Sequence, residues 1–369
     1  MPHKPLHIVH TEASLGWGGQ EIRILTEAAG MIARGHQVTL LCPPQAKIFA
    51  EAKLRNVPVQ TLAIGRKNLA GLIAMRGWLK SHSADVINSH SSTDSWLVAL
   101  ASRALKNAAP LVRTRHISAL IPNNFSTRWL YQTATAHIAT TGETLRQQLI
   151  HSNGYAPGHI TSVPTGIDAE HFTPGDKAYA RGALGLPQDT FIIGIVATLR
   201  SWKGHRYLLE AFAELSDTAT RLVIVGDGPQ HEALQNQITT LGLENRVTMP
   251  GNQRDVLPWL RAFDLFVLPS YANEGVPQAL LQAMLCGLPV VTTPVGSILE
   301  AAQHERTGLI VEPQQSAPLR LAIQRLLDDP DLRQRLGGAA RQHVSEHFTF
   351  SSMLDKMEAI FTNVVNRRG

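Results

Sequence analysis

The sequence reads as an α/β protein of two similar domains with parallel sheets. Its 369 residues exceed what one core usually organises. Short apolar runs alternate with longer stretches of helical period, and the alternation stops at one Gly-, Pro- and Asp-rich connector before starting again. The runs are apolar throughout, as parallel strands covered on both faces by helices must be.

The first run, Leu6 to His10, is followed by helical period from Gln20 to Arg34, the strand-like Gln37 to Cys42, a helical stretch to Arg55 and the run Val57 to Ile64. Asp85 to His90 is the next strand, then a helix from about Thr93 to Lys106, Pro110 to Arg115, a helix near Ser126 to Thr135, Ala136 to Thr140 and a helix to His151. After Ile160 to Pro164 comes the connector, residues 165–176. The rhythm resumes with Phe191 to Leu199, a helix from Lys203 to Leu215, Arg221 to Gly228, a helix to Leu241, Arg246 to Gly251, Asp264 to Ser270, a helix from about Pro277, and Gly287 to Thr293. Segments 317–327, 330–346 and 350–366 are helical. The expected division is therefore 1–165, 166–345 and a last helix, 346–369, folding back on the first domain. Open α/β sheets bind ligands beyond the carboxyl ends of their strands, so two facing sheets with a cleft between them should carry chemistry in strand-to-helix loops.

Composition excludes several classes. Aromatic residues make up 6%, the 28 Gly and 21 Pro have no period, and no apolar run approaches the roughly 18 residues of a membrane span. Leu6 to His10 is too short for a secretory signal, so the mature chain is expected to start near Met1 and to be cytoplasmic. Cys42 and Cys286 lack any ligand spacing and read as small buried hydrophobes in a reducing compartment. The net charge of +5 is unevenly spread: residues 1–168 hold 16 Lys plus Arg against 8 Asp plus Glu, and the remainder 18 against 21. A basic half suits an anionic partner, or is compositional drift.

Several loops carry chemistry. Gly18 and Gly19 precede the first helix, where backbone N–H groups can approach a phosphate or sugar. Neither this loop nor that around Gly226 and Gly228 completes a dinucleotide fingerprint, which argues against a dehydrogenase. Arg200 and Lys203 follow a strand end, where one planar and one compact cation suit a diphosphate; a solvated loop is the bland alternative. Glu274 lies in a loop, Pro277 suits a first helical position, and free N–H groups around Gly275, Val276, Pro277 and Gln278 would suit a phosphorylated sugar. Gln282, eight residues after Glu274, reaches the same side by helical period.

His90 and Asp94 read either as acceptor-side residues or as a strand-end histidine and a helix cap. The H-x-x-E-H match at 343–347 and Asp329-Pro330-Asp331 read as accidental, so no catalytic metal is expected. Residues 66–80 set Arg66, Lys67, Arg76 and Lys80 among Leu69, Leu72, Ile73, Trp78 and Leu79. They read as an interfacial helix on anionic lipid, or as a helix packed on its sheet with snorkelling cations.

Taken in order, GGQE, VPTGID, LRSWKGH, VGDGP, NRVTMPG, DLFVLPS, EGVPQALLQAM, CGLPVVTTPVG and TGLIV resemble retaining glycosyltransferases of the GT-B fold, the family 4-like "glycosyl transferases group 1", of the bacterial cell-envelope type. The resemblance spans nearly the whole chain. It implies two Rossmann-like domains, the first for the acceptor and the second for a nucleotide-sugar. It also implies a hexosyl-type transfer with no cofactor beyond that donor, with a UDP-sugar favoured over a GDP-sugar.

Further roles follow from the resemblance. Glu274 would contact donor hydroxyls and the backbone of Gly275 to Gln278 would hold sugar and phosphates. Arg200 and Lys203 would neutralise the departing diphosphate, Gly18 and Gly19 would approach it, and His116 would lie beside the transferred sugar. Asp255 would sit near the base. Two positions depart from the family pattern: Gln282 replaces a second glutamate, and Thr198 stands where the family has an arginine that Arg200 would replace. The implied partners are a nucleotide-sugar and a glycan or glycolipid acceptor, with peripheral contact at the inner face of an anionic membrane and no nucleic acid. A nucleotide-sugar-binding protein without transfer and a synthase of a small soluble glycoside are the alternatives.

Overall fold

A computed structural model describes residues 4–103 and 105–367. The chain forms two compact units, residues 1–164 together with 351–369, and residues 165–350.

The first unit holds β1 (His7–Thr11), α1 (Gly19–Ala33), β2 (Gln37–Cys42), α2 (Lys47–Leu54), β3 (Val59–Thr61), α3 (Leu69–Ser81), β4 (Val86–Ser89) and α4 (Ser92–Ser102). It continues with β5 (Leu111–Arg115), α5 (Phe125–Arg128), β6 (His137–Thr140), α6 (Glu143–Asn153) and β7 (Ile160–Ser162). The strands pair in parallel in the order β3-β2-β1-β4-β5-β6-β7. Their interior residues are almost wholly inaccessible: Ile8, Val9, Leu40, Ile87, Val112 and Ile138 are all 0% exposed, which is the reason the runs lack alternation. Local chemistry sets the helix starts. Asn68 Oδ1 accepts from Gly71 N at 2.9 Å to open α3, and Ser91 with Asp94 forms a capping box for α4.

The second unit holds α7 (Lys177–Leu184), β8 (Ile192–Val196), α8 (His205–Ala213), β9 (Arg221–Val225), α9 (His231–Thr240), β10 (Val247–Gly251), α10 (Leu257–Ala262) and β11 (Leu265–Leu268). Then come α11 (Gln278–Leu285), β12 (Val290–Thr292), α12 (Ile298–Ala301), β13 (Leu309–Ile310), α13 (Ser316–Asp328) and α14 (Pro330–His347). Its six strands follow the order β10-β9-β8-β11-β12-β13, the same crossover pattern around β8 that the first sheet has around β1. Asp329 caps α14 by accepting from Leu332 N at 2.9 Å, with Pro330 as the first helical residue, so the Asp-Pro-Asp run is a helix start. Cys42 and Cys286 are buried.

The chain returns to the first unit along α15 (Phe350–Asn366). Arg34 forks onto Asp355 at 2.6 Å and Glu358 at 2.7 Å, His36 Nε2 lies 3.2 Å from Glu358, and Phe361 is fully buried. The helix expected from Lys203 is broken: Ser201–Lys203 forms one turn of 3-10 helix, and α8 starts only at His205. Gly204 is the cause. It takes φ +77° where its Cα packs on the carbonyl of Pro269, and a Cβ there would collide with that oxygen. Pro277 likewise sits at the N-cap of α11 in extended geometry, one residue earlier than expected. Among the described residues no helix is long and apolar enough to cross a membrane.

Candidate active site

Both sheets reverse their strand order at one place, between β1 and β4 in the first unit and between β8 and β11 in the second. At such a switch point the loops leaving neighbouring strands diverge and open a crevice at the carboxyl edge.

In the second unit the loop after β8 carries Arg200 and Lys203, and the loop after β11 carries Glu274. Adjacency of the two strands brings Lys203 Nζ to 2.6 Å from Glu274 Oε1. The lysine side chain is 17% exposed and the carboxylate 5%. Gly296, at φ +59°, holds the loop from behind: its Cα lies so close to the Glu274 carbonyl that any Cβ would strike it. Arg200 is exposed, with its guanidinium 5.6 Å from the ring centroid of Trp202.

Gly275, Val276 and Pro277 are buried, and Val276 belongs to the core. Gln278 opens α11, and Gln282, one turn further, is 8% exposed. Three buried polar atoms around this loop, Ser270 Oγ, Gln278 Oε1 and Ser297 Oγ, have no hydrogen-bond partner among the described residues. Buried polar groups are normally satisfied, so three unpartnered atoms on the loops after β11 and β12 and at the start of α11 stand out. Asp255 lies apart in the loop after β10, exposed, with Oδ1 accepting from Leu257 N at 2.9 Å at the start of α10.

In the first unit the glycine loop is pinned by a buried carboxyl. Glu12 accepts from Ser14 N at 2.7 Å and Gln20 Nε2 at 2.5 Å. Burial, then the charges of Asp94 and Glu21, push its pKa up to about 8. Gly18 is the N-cap of α1, half-exposed, and Gly19 its exposed first residue. At the switch point Thr11 Oγ1 donates to Asp94 Oδ2 at 2.7 Å, and His90 N donates to the same oxygen at 3.0 Å. Beside them three histidines at the ends of β1, β4 and β5 form a chain: His10 Nδ1 lies 2.9 Å from His90 Nε2, and His90 Nδ1 lies 3.0 Å from His116 Nε2. Burial lowers the pKa of His10 to about 4 and holds His90 and His116 well below the usual imidazole range. Behind them Glu27, fully buried, is pushed up to about 7.

Residues 17–171 match the family model described as Glycosyltransferase Family 4, and residues 176–343 match Glycosyl transferases group 1. The two models together take in most of the chain. The chain belongs to the group 1 glycosyltransferases.

This glycosyltransferase is similar along its length to D-inositol 3-phosphate glycosyltransferase 1 of Catenulispora acidiphila, at 28% identity over 98% of this chain and 90% of that protein. D-inositol 3-phosphate glycosyltransferase of an Arthrobacter species is 30% identical over 70% of this chain and 66% of its own length. Solved structures agree on the GT-B fold. A glycosyltransferase from Rickettsia africae superposes with a TM-score of 0.87 at 21% identity, covering 98% of this chain and 99% of that one. Anabaena HepE in complex with UDP and glucose gives 0.86 at 21% identity, covering 97% and 100%. The enzyme transfers a sugar from a nucleotide-sugar donor.

The glycosyltransferase also carries polar residues at its switch points that the sequence reading passed over. His10, Glu12 and Ser270 fall there because of strand order, which no local pattern reveals, and Ser297 follows β12, the next strand beyond β11. His205 opens α8 with both ring nitrogens buried and without a partner among the described residues, and burial with the nearby Lys203 charge drives its pKa down to about 3. The histidine in LRSWKGH was the available signal for it. Among the described residues no group of three or more His, Cys, Asp or Glu is arranged to hold a metal ion.

Proposed function

We propose that this enzyme transfers a hexosyl group from a UDP-sugar to a hydroxyl of a phosphate-bearing acceptor, with retention at the anomeric carbon. The observation that carries the proposal is the Lys203–Glu274 pair, 2.6 Å apart, with the unpartnered Ser270, Gln278 and Ser297 atoms on neighbouring segments of the chain. When a donor binds, the Lys203 ammonium exchanges its carboxylate partner for a diphosphate oxygen. Glu274 is then free to accept from sugar hydroxyls. Arg200, exposed and without a carboxylate partner among the described residues, adds a second positive charge as the leaving group departs.

Backbone N–H groups from Gly275 to Gln278 hold sugar and phosphate, Gln282 hydrogen-bonds the ribose, and Asp255 faces the base. Gly18 and Gly19 offer N–H groups to the phosphates, and His116 orients the sugar. Catalysis is then positioning plus neutralisation of the diphosphate, with the leaving phosphate taking the acceptor proton on the same face. No metal enters the step, so full activity in the presence of a chelator is expected.

Two observations bear on the acceptor. The relatives named above are D-inositol 3-phosphate glycosyltransferases, and residues 1–168 carry 16 cationic against 8 anionic side chains. The first favours a small phosphorylated polyol, and the second suits an anionic acceptor of either kind. A second reading, an envelope glycolipid at an anionic membrane, draws on α3: Leu69 and Ile73 are 70% and 62% exposed, beside the exposed cations Arg66, Lys67 and Lys80. The test is a calorimetric screen of UDP-, GDP- and ADP-sugars, then acceptor trials with the best donor and NMR of the product anomer. An α-configured product from an α-linked UDP-sugar supports the proposal; an inverted anomer, or hydrolysis with every acceptor, contradicts it.

A further inference from the structure

The histidine chain of the first unit constrains its own protons. Two nitrogen-to-nitrogen contacts, at 2.9 and 3.0 Å, each need one proton and one lone pair. Burial keeps all three rings neutral, so each has a single N–H. Only two proton registers satisfy both contacts. In the first, His10 and His90 each donate from Nδ1 towards His116, which leaves His10 Nε2 bare and puts the His116 proton on Nδ1. In the second, all donate the other way, and His10 Nε2 carries an N–H.

The inner end decides between them. His10 Nε2 is buried without a hydrogen-bond partner among the described residues, and its ring stands edge-on to Phe361 of α15 at 6.5 Å between centroids. A buried N–H left without an acceptor is rarer and more costly than an unused lone pair. We infer that His10 and His90 are positioning residues that fix the tautomer of His116, so that it meets its ligand as a neutral Nδ1–H donor.

At the outer end His116 is half-buried, and Nδ1 is the ring nitrogen left outside the chain. It offers a proton to an oxygen, as a sugar hydroxyl or phosphate would require, and has no lone pair there with which to act as a base. In the flipped register the buried His10 Nε2–H would have no acceptor among the described residues. The role of His116 towards the sugar rests on the proposed function; the tautomer does not.

The test uses the full chain, ligand-free and labelled with ¹⁵N-histidine, in a long-range ¹H–¹⁵N spectrum at neutral pH, with His116 assigned by the signals lost in His116→Gln. The expected result is a protonated Nδ1 and a bare Nε2 on His116. His90→Leu removes the N–H that holds His116 Nε2 bare, so the half-buried ring should no longer be fixed and should sample both tautomers, and kcat should fall while the donor KM changes little. His10→Phe, which keeps the stacked ring, leaves His90 Nε2 as the new unpartnered end and should retain the Nδ1–H form on His116. A wild-type His116 protonated on Nε2, or on both nitrogens, overturns the inference, as does a folded His90→Leu that keeps a single tautomer and the wild-type kcat. Should His90→Leu fail to fold, the wild-type spectrum alone decides. If the tautomer is as stated but His116→Gln transfers at the wild-type rate, the chain stands and the role of His116 in transfer falls.

Discussion

The two switch points share one topology and solve opposite electrostatic problems. Between β8 and β11 Lys203 Nζ pairs with Glu274 Oε1 at 2.6 Å across two loops, and Arg200 is exposed on the same loop as the lysine. Between β1 and β4 the side chains are histidines and carboxyls sealed from water, where charge is suppressed: Glu12 is pushed up to about 8 and His10 down to about 4. A crevice at a strand-order reversal thus prescribes no chemistry. Burial decides whether its residues work as charges or as fixed dipoles.

If the charged switch point neutralises the diphosphate, replacing both Arg200 and Lys203 by Ala should lower turnover by about 10³-fold or more with the fold intact. His116→Ala, which removes one neutral donor, should lower it by only about tenfold. Equal losses in steady-state assays would erase the distinction between the two regions.

Lys203→Met strands a buried carboxylate. It should reduce unfolding free energy by about 2 kcal/mol in urea melts, and adding Glu274→Gln should recover part of that loss. Gly296→Ala forces a Cβ into the Glu274 carbonyl at a positive φ. A loss of about 2 kcal/mol with weaker donor binding is expected, where an ordinary surface Gly→Ala would stay within a few tenths.

The suppressed charges of the first unit sharpen the contrast through pH. Glu12 and Glu27 hold protons in the fold that the unfolded chain releases near 4.5, so their contribution is complete below 4.5. It is lost as pH rises through about 7 for Glu27 and about 8 for Glu12. His10 is neutral in the fold, and its contribution, present above 6.5, is lost as pH falls towards 4. Between pH 6.5 and 8 the carboxyls alone act, and stability should fall by up to about 1.4 kcal/mol per pH unit for each group. Denaturation of Glu12→Gln should flatten that slope, and parallel curves for variant and parent would contradict the burial account.

The smallest effect concerns α3. Changing Arg66, Lys67, Arg76 and Lys80 to Glu should remove co-sedimentation with anionic vesicles while transfer to a small soluble acceptor continues. Unchanged co-sedimentation would remove the membrane reading.

What could be read from the sequence was whatever local pattern determines. The parallel strands announced themselves as unbroken apolar runs because both faces are covered, and the connector and terminal helices by their turn residues and period. Glu274, Arg200 and Lys203 were visible as charges in strand-to-helix loops. Strand order was not visible, and strand order is what puts Lys203 against Glu274 across 71 residues and His10 against His90 across 80. Gly204 was hidden for a related reason: its positive φ answers to the Pro269 carbonyl from another strand, so the helix expected from Lys203 begins two residues late.

The most direct test is a crystal structure with a UDP-sugar. A diphosphate oxygen is expected within hydrogen-bonding distance of Lys203 Nζ, with a sugar hydroxyl donating to Glu274. A donor bound elsewhere, with the Lys203–Glu274 pair still closed, would contradict the proposed function.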